Sequence, residues 1–348
     1  MSRRERITVL YNEPILPEDH PDYVSEVDVI DNVEAVEKVL REAGYDVRRL
    51  GVTNDAAALL HGLQEQAPDA VVNLFEGTPD NNANELYAAG MLEWLGISYT
   101  GCPFPSLVLA RSKHQAKRLF HAEGIPTAPY FVVEDGKLTE NPLRYPCIVK
   151  PTQQDASVGV DQASVVSHFE QLQDRVRFVY EQFAQPVLVE EYIPGREITL
   201  ALVEMPELVL LPGTEVLFQY KDPQMWPILT YKAKWDVNSA EFNETDYHFN
   251  AQLPPELLAE MHRIAKRAYH LLGCRDYARV DFRIRHGDNQ LMVLELNPNP
   301  EFAPDRGLSN NLWAANITHA QFTLQLVANA LARRQGQLAQ RFVSRLAS

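Results

Sequence analysis

At 348 residues the chain is long enough to bury two or three cores. Its formal net charge of -15 excludes a general nucleic-acid binder, which needs a basic face, but leaves room for a nucleotide site built on a few local cations. Cys102, Cys147 and Cys274 fit neither a disulfide framework nor a zinc site, no segment reaches membrane-spanning length, and the apolar run after the basic start is too short for a signal peptide, so reduced thiols in a cytoplasmic protein are the expectation.

Residues 7–10 read as a strand, followed by a polar, proline-containing loop from 12 to about 25. Val29, Val33, Val36 and Leu40 then recur at helical spacing up to Gly44. A strand at 45–48, a helix at about 55–66 and an apolar strand at 70–75 continue an alternation that predicts a parallel, doubly wound sheet. Ligands of such sheets sit beyond the carboxyl ends of the strands. That makes Asn12-Glu13 and Glu76-Gly77-Thr78-Pro79-Asp80 candidate substrate loops, although the same residue types also make plain turns. No Gly-x-Gly-x-x-Gly follows any strand, so no dinucleotide site is evident. A helix at about 84–95 and a strand at 97–100 lead to Gly101-Cys102-Pro103-Phe104-Pro105, a boundary signal.

Ser112 caps a predicted helix over 113–122. Lys113 in its first turn opposes the helix dipole, which hints at a phosphate there; an ordinary exposed lysine is the plainer explanation. A strand at 147–151 carries Lys150 and feeds the small, polar loop 152–160, a device suited to gripping phosphates but without P-loop spacing. After a helix at 169–183, an apolar strand ends in Glu190-Glu191, turns at Pro194-Gly195 and resumes as an alternating strand at 197–203. Adjacent acids at a strand end are usually solvated, whereas an adenine wants a backbone hinge and a ribose wants a carboxylate. From 211 to 249 the chain reads as an irregular lid or binding loop around Lys234 and Trp235. A helix at 256–272 follows, then a hairpin, and a last long helix at about 312–333 reads as core packing.

The hairpin carries the chemistry. Period-two alternation places Arg279, Asp281 and Arg283 on one face of its first strand, and Glu295 and Asn297 share a face of the second. An all-oxygen set of this kind suits Mg²⁺, which bridges protein carboxylates to substrate phosphates. A solvated face with a surface ion pair is the plainer alternative.

Taken in order, these elements resemble the ATP-grasp superfamily and, within it, the D-alanine–D-alanine ligase-like family. The resemblance implies an α/β (α+β ATP-grasp) fold with three units, over 1–105, 106–193 and 194–348, the first carrying the doubly wound parallel sheet. It implies an ATP-dependent ligase that joins a small carboxylate to an amine, amino acids being the expected substrates, through an acylphosphate. Lys113 and Lys150 match the lysines on the ATP phosphates, Glu190, Glu191 and Ile193 the adenine hinge, and Glu197 the ribose glutamate. Lys234 matches the lysine of the mobile loop, and Ser157 stands in the phosphate loop. Asp281, Glu295 and Asn297 match the ligands of two Mg²⁺ ions, with Mn²⁺ an alternative, and Arg279 matches the arginine that steadies the reacting groups. A homodimer formed through the first unit is also implied.

The chain departs from that family around the first substrate. It has Asp155-Ala156-Ser157 where the family has Gly-Ser-Ser, Trp235 in place of a tyrosine, and no glycine-rich first turn with its glutamate. Glu13, Glu26 and Asp28 remain candidates for an ammonium partner, and Arg306 and Ser309 for a substrate carboxylate. The expected outcome is a ligase with a rebuilt acyl-donor pocket; the alternatives are an orthodox D-alanine–D-alanine ligase and a nucleotide-binding protein without turnover.

Overall fold

The computed structural model describes residues 3–16, 23–78, 81–304 and 306–347. The first unit alternates β1 (Arg6–Asn12), α1 (Tyr23–Glu42), β2 (Asp46–Val52), α2 (Ala56–Gln66), β3 (Ala70–Leu74) and α3 (Asn84–Leu95). Its strands form a parallel sheet in the order β2-β1-β3. β3 is buried at every position, as a strand covered on both faces must be. The strand expected at 97–100 is reduced to one parallel bridge, Val71 to Tyr99.

Two helices, α4 (Phe104–Arg111) and α5 (Lys113–Ala122), lead into a four-stranded antiparallel sheet. It contains β4 (Tyr130–Val133), β5 (Cys147–Pro151), β6 (Val165–Val166) and β7 (Val187–Glu191) in the order β4-β7-β5-β6, covered by α6 (Phe169–Phe183). Ser112 occupies the N-cap of α5, but its hydroxyl makes no capping bond and lies 3.2 Å from His114 Nδ1 instead. The loop over 152–160 leads into a 3-10 turn over Gln162–Ser164 and then the two-residue β6.

The third region is a large antiparallel sheet of β8 (Gly195–Glu204), β9 (Leu208–Leu210), β10 (Thr214–Phe218), β11 (Thr245–Phe249), β12 (Tyr277–Arg285) and β13 (Leu291–Pro298). Its order is β11-β10-β8-β12-β13, with β9 also on β8. Helices α7 (Tyr231–Trp235) and α8 (Ala240–Asn243) separate β10 from β11, and α9 (Pro255–Leu271) precedes β12. The stretch 211–249 is therefore not irregular throughout. β10 and β11 extend the sheet, and β11 stays exposed along most of its length, so its sequence has no buried alternation to betray it.

The last helix is also two: α10 (Gly307–Ala314) and α11 (His319–Ala347). The break is written in Thr318 and Gln321. Gln321 N donates to Thr318 Oγ1 at 3.1 Å and Thr318 N donates to Gln321 Oε1 at 2.8 Å, a reciprocal cap that starts a new helix.

Apolar clusters join the first unit to the large sheet. Val9, Leu40 and Val72 share one with Tyr277, Phe322 and Val327; Leu92, Leu107 and Phe120 share another with Ile264, Val280 and Phe282. Position 105 lies inside α4, so the core runs across it. The four-stranded sheet keeps its own cluster around Val149, Val176 and Val189. Between that sheet and the large one a cleft is left. Among the described residues no helix is long and apolar enough to cross a membrane.

Candidate active site

The cleft opens to solvent. Its floor comes from the register of β12 and β13. Arg279 stands opposite Asn297 and Asp281 opposite Glu295, and a bulge then shifts the pairing between Asp281 and Phe282. Four polar side chains thus share one face while Val280, Phe282 and Ile284 enter the core. Arg279 grips Asp281 with two bonds of 2.7 and 2.9 Å, and Asn297 Nδ2 donates to Asp281 Oδ2 at 3.0 Å and to Glu295 Oε1 at 3.4 Å.

The lysines enter from the other walls. Lys113 Nζ, at the start of α5, lies 2.9 Å from Glu295 Oε2 and 3.3 Å from Asp155 Oδ1. Burial alone would push the Glu295 carboxyl up, but Lys113, aided by Lys150 and Lys234, holds it well below the usual carboxylate range. The same contacts raise Lys113 above the ordinary lysine range despite its burial. Lys234, in α7, is lowered by burial and then by Arg279. Lys113, Lys150 and Lys234 all line the cleft with Ser157, Asp281 and Glu295.

At the hinge end Glu190 is not solvated. Its carboxylate lies 3.1 Å from Lys150 and 2.5 Å from Lys117, a lysine only 1% exposed. Burial raises this carboxyl, and the two lysines outweigh it, holding the group at about 2. Lys117 was not legible as a site residue: on α5 it falls four positions after Lys113, an ordinary helical repeat, and only the fold turns it beneath β7. Arg283, placed by the alternation on the polar face of β12 but given no role there, is 3% exposed and donates to Glu197 Oε2 at 2.8 Å, to the Ile193 carbonyl at 3.0 Å, to Tyr192 Oη at 3.2 Å and to the Pro227 carbonyl at 2.6 Å. It ties hinge, Glu197 and the loop after β10 to one strand.

That loop lies over the cleft. Trp226 and Ile228 pack with Tyr192, Ile148 and Val165 into a small apolar wall. Trp226 and Gln162 exchange two hydrogen bonds, Ser157 Oγ donates to the Leu229 carbonyl at 2.9 Å, and Tyr231 N donates to the Val160 carbonyl at 3.0 Å. Trp235 Nε1 closes the edge by donating to the Ala156 carbonyl at 3.3 Å. Ala156 and Ser157 both have positive φ, 52° and 63°, backbone strain of the kind stored where a loop must present its groups to a ligand.

Ten of the expected residues therefore line one cleft: Lys113, Lys150, Ser157, Glu190, Glu191, Ile193, Glu197, Lys234, Asp281 and Glu295. Arg279, Asn297 and Trp235 adjoin it through the hydrogen bonds given above. Glu13 is not brought there: its carboxylate bonds the Tyr11 hydroxyl beside Gly51. Ser309 Oγ donates to the Phe302 carbonyl at 2.7 Å, and Arg306 lies 3.7 Å from Glu301, in the segment after β13. Pro79, Asp80 and the side chains of Glu26 and Asp28 lie outside the described residues.

A family model described as "D-ala D-ala ligase C-terminus" matches residues 119–327. The chain is 30% identical over 304 residues to the D-alanine–D-alanine ligase of Gluconobacter oxydans (strain 621H), covering 86% of this chain and 93% of that one. It is 29% identical over 299 residues to the D-alanine–D-alanine ligase of Acidiphilium cryptum (strain JF-5), covering 86% and 92%. Its fold is similar to the crystal structure of the D-alanine–D-alanine ligase from Bacillus anthracis complexed with ATP, with a TM-score of 0.74 and 22% identity over 97% of this chain and 100% of that chain.

Proposed function

Since the chain belongs to the ATP-grasp D-alanine–D-alanine ligase-like family, we propose that it is an ATP-dependent ligase that joins a small carboxylate to an amine through an acylphosphate. What carries this reading is the convergence of Arg279, Asp281, Glu295 and Asn297 with Lys113, Lys150 and Lys234 on one cleft. The apolar wall of Ile148, Tyr192 and Ile228 and the hinge at Glu191–Ile193 would hold adenine, Glu197 the ribose, and Lys150 and Lys113 the phosphates.

Two carboxylates and an amide oxygen fit Mg²⁺, which takes its remaining ligands from phosphates and water. The charges fit as well. Asp281 is gripped by Arg279 and Glu295 by Lys113, so the carboxylates already sit among cations. Asp281, Glu295 and Asn297 would hold the metal, which when bound neutralises charge on the transferred phosphoryl group. Arg279 and Lys234 draw the substrate carboxylate to the γ-phosphate, offsetting the repulsion of two anions. One carboxylate oxygen attacks phosphorus and ADP leaves; the amine then attacks the acyl carbon, phosphate leaves, and the amine proton is released. The loop closed by Trp226 and Trp235 excludes water that would hydrolyse the acylphosphate.

The Ala156 and Trp235 pair supports an acyl-donor pocket different from that of an orthodox ligase, because a carbonyl-to-indole bond stands where hydroxyls would meet. The orthodox reading is favoured by the Gluconobacter relative. Release of ADP and phosphate across paired amino acids, small carboxylates and amines separates the two. Stimulation by D-alanine alone, with the dipeptide formed, supports the orthodox enzyme; stimulation by a different pair supports the rebuilt pocket; none, with ATP still bound, leaves a nucleotide-binding protein. Asn297→Ala is expected to lower turnover on the order of 10²-fold or more while nucleotide binding persists.

A further inference from the structure

Lys113 is claimed by two acids before any nucleotide arrives. Its ammonium lies 2.9 Å from Glu295 Oε2, which the proposed function assigns to the metal, and 3.3 Å from Asp155 Oδ1, which has no such task. Asp155 sits in the loop after β5 with its side chain 46% exposed, and Lys113 is its ion-pair partner among the described residues. An ammonium has three N–H donors, so only one is left for phosphate while Asp155 stays in place.

The backbone keeps Asp155 there. Lys113 N donates to the Thr152 carbonyl at 3.0 Å, which ties the start of α5 to the start of the loop. Val158 N donates to the Asp155 carbonyl at 2.9 Å and Ser157 Oγ to the Leu229 carbonyl at 2.9 Å, so the far side is held as well. Asn82 Nδ2 donates to Gln154 Oε1 at 3.4 Å, a tie to the first unit. The carboxylate thus stands at the end of the cleft lined by Lys113, Lys150, Ser157 and Glu295. Burial first, then Asp155 and Glu76, raise the Glu85 carboxyl to about 8 against the opposing Arg111, so the field at this corner is negative. A fixed negative charge repels a nucleotide in proportion to the charge the nucleotide carries, and the complex of ATP with Mg²⁺ carries roughly half the charge of free ATP.

We propose that Asp155 is a charge gate on the phosphate site: it occupies Lys113 against metal-free nucleotide and yields to nucleotide that arrives with its divalent cation. The inference rests on the proposed nucleotide site and narrows the form of nucleotide which that site accepts. Phosphate takes the place of Asp155 on Lys113, and the metal offsets the carboxylate left beside it. Without metal, carboxylate and phosphate face each other uncompensated. A cleft gated in this way does not fill with ATP lacking the cation that phosphoryl transfer needs.

The test is binding of ATP to the full chain by titration calorimetry, at a slightly alkaline pH where the γ-phosphate is fully ionised, once with EDTA and once with excess Mg²⁺. Wild type is compared with Asp155→Asn, which keeps the shape and removes the charge, and adenosine is the probe without phosphates. Expected in Asp155→Asn are a gain in affinity of about tenfold for metal-free ATP, at most about threefold for the magnesium complex, and none for adenosine. Asp155→Ser is expected to follow Asp155→Asn. Equal gains with and without metal, no gain for metal-free ATP, or a gain for adenosine would each overturn the proposal. So would weaker binding of the magnesium complex, which would make Asp155 a metal ligand. ATP binding to neither protein under either condition would sink the nucleotide site itself, a failure distinct from ATP binding that is indifferent to Asp155.

Discussion

The surroundings of Glu190 and of Glu85 handle their charges in opposite ways. In the large cleft each buried carboxylate named has a cation against it: Glu190 has Lys117 and Lys150, Glu295 has Lys113, Asp281 has Arg279, Glu197 has Arg283. In the first turn of α3 Glu85 faces Asp155 and Glu76, and Arg111 is the opposing cation. The outcome is visible in two glutamates of one chain, one held at about 2 and the other raised to about 8. A site whose charges are balanced before the ligand comes can take a polyanion and metal together, because each cation handed to phosphate frees a carboxylate for the metal.

The sharpest way to break the balanced side is Lys117→Met. It removes one of two cations from a carboxylate only 2% exposed, leaving a buried charge partly uncompensated. A loss of about 3 kcal/mol in unfolding free energy is expected, read from urea titration. Lys150 then becomes the sole partner of Glu190 and is less available to phosphate, so ATP affinity falls while adenosine affinity changes little. Recovery of ATP affinity in Lys117→Met/Glu190→Gln, which returns the group to its wild-type net charge and leaves Lys150 unpaired, would establish charge balance as the cause; an equal loss for ATP and adenosine would refute it.

Much of the balanced side was legible because it follows period and order. Arg279, Asp281, Glu295 and Asn297 alternate along strands, and the strand-ending Lys150 and the Glu190-Glu191 hinge announce themselves in sequence. What was not legible is whatever depends on which elements face each other. Lys117 gains its meaning only because α5 crosses under β7, and Arg283 because the loop after β10 returns to it. A smaller cavity lined by Asn32, Glu85 and Asn299 is more hidden still, since these come from α1, α3 and the segment beyond β13, and no local pattern links them. β11 escaped for another reason: an exposed edge strand lacks the buried face that makes a strand readable.

A milder change sharpens the border between the two regions. Trp235 holds the loop over the cleft through one bond to the Ala156 carbonyl. Trp235→Phe keeps the aromatic face and removes the donor, so a cost of about 1 kcal/mol is expected. It should appear as a several-fold rise in KM for the acyl donor, with ATP affinity nearly unchanged. An equal effect on ATP would move Trp235 to the nucleotide side of the comparison.

A further effect concerns stability against pH, where the two glutamates carry opposite signs. Glu190 is held below its ordinary 4.5, so its contribution is present above that value and is lost as pH falls through about 2. Glu85 is raised, so its contribution is complete below 4.5 and is lost as pH rises through about 8. Glu85→Gln cannot ionise, and relative to wild type it should gain stability progressively between pH 4.5 and 8. Urea midpoints of the two proteins across that range measure the divergence. A constant difference would mean that Glu85 ionises as freely in the fold as in the unfolded chain, and the contrast between the two glutamates would then lie in geometry rather than in charge.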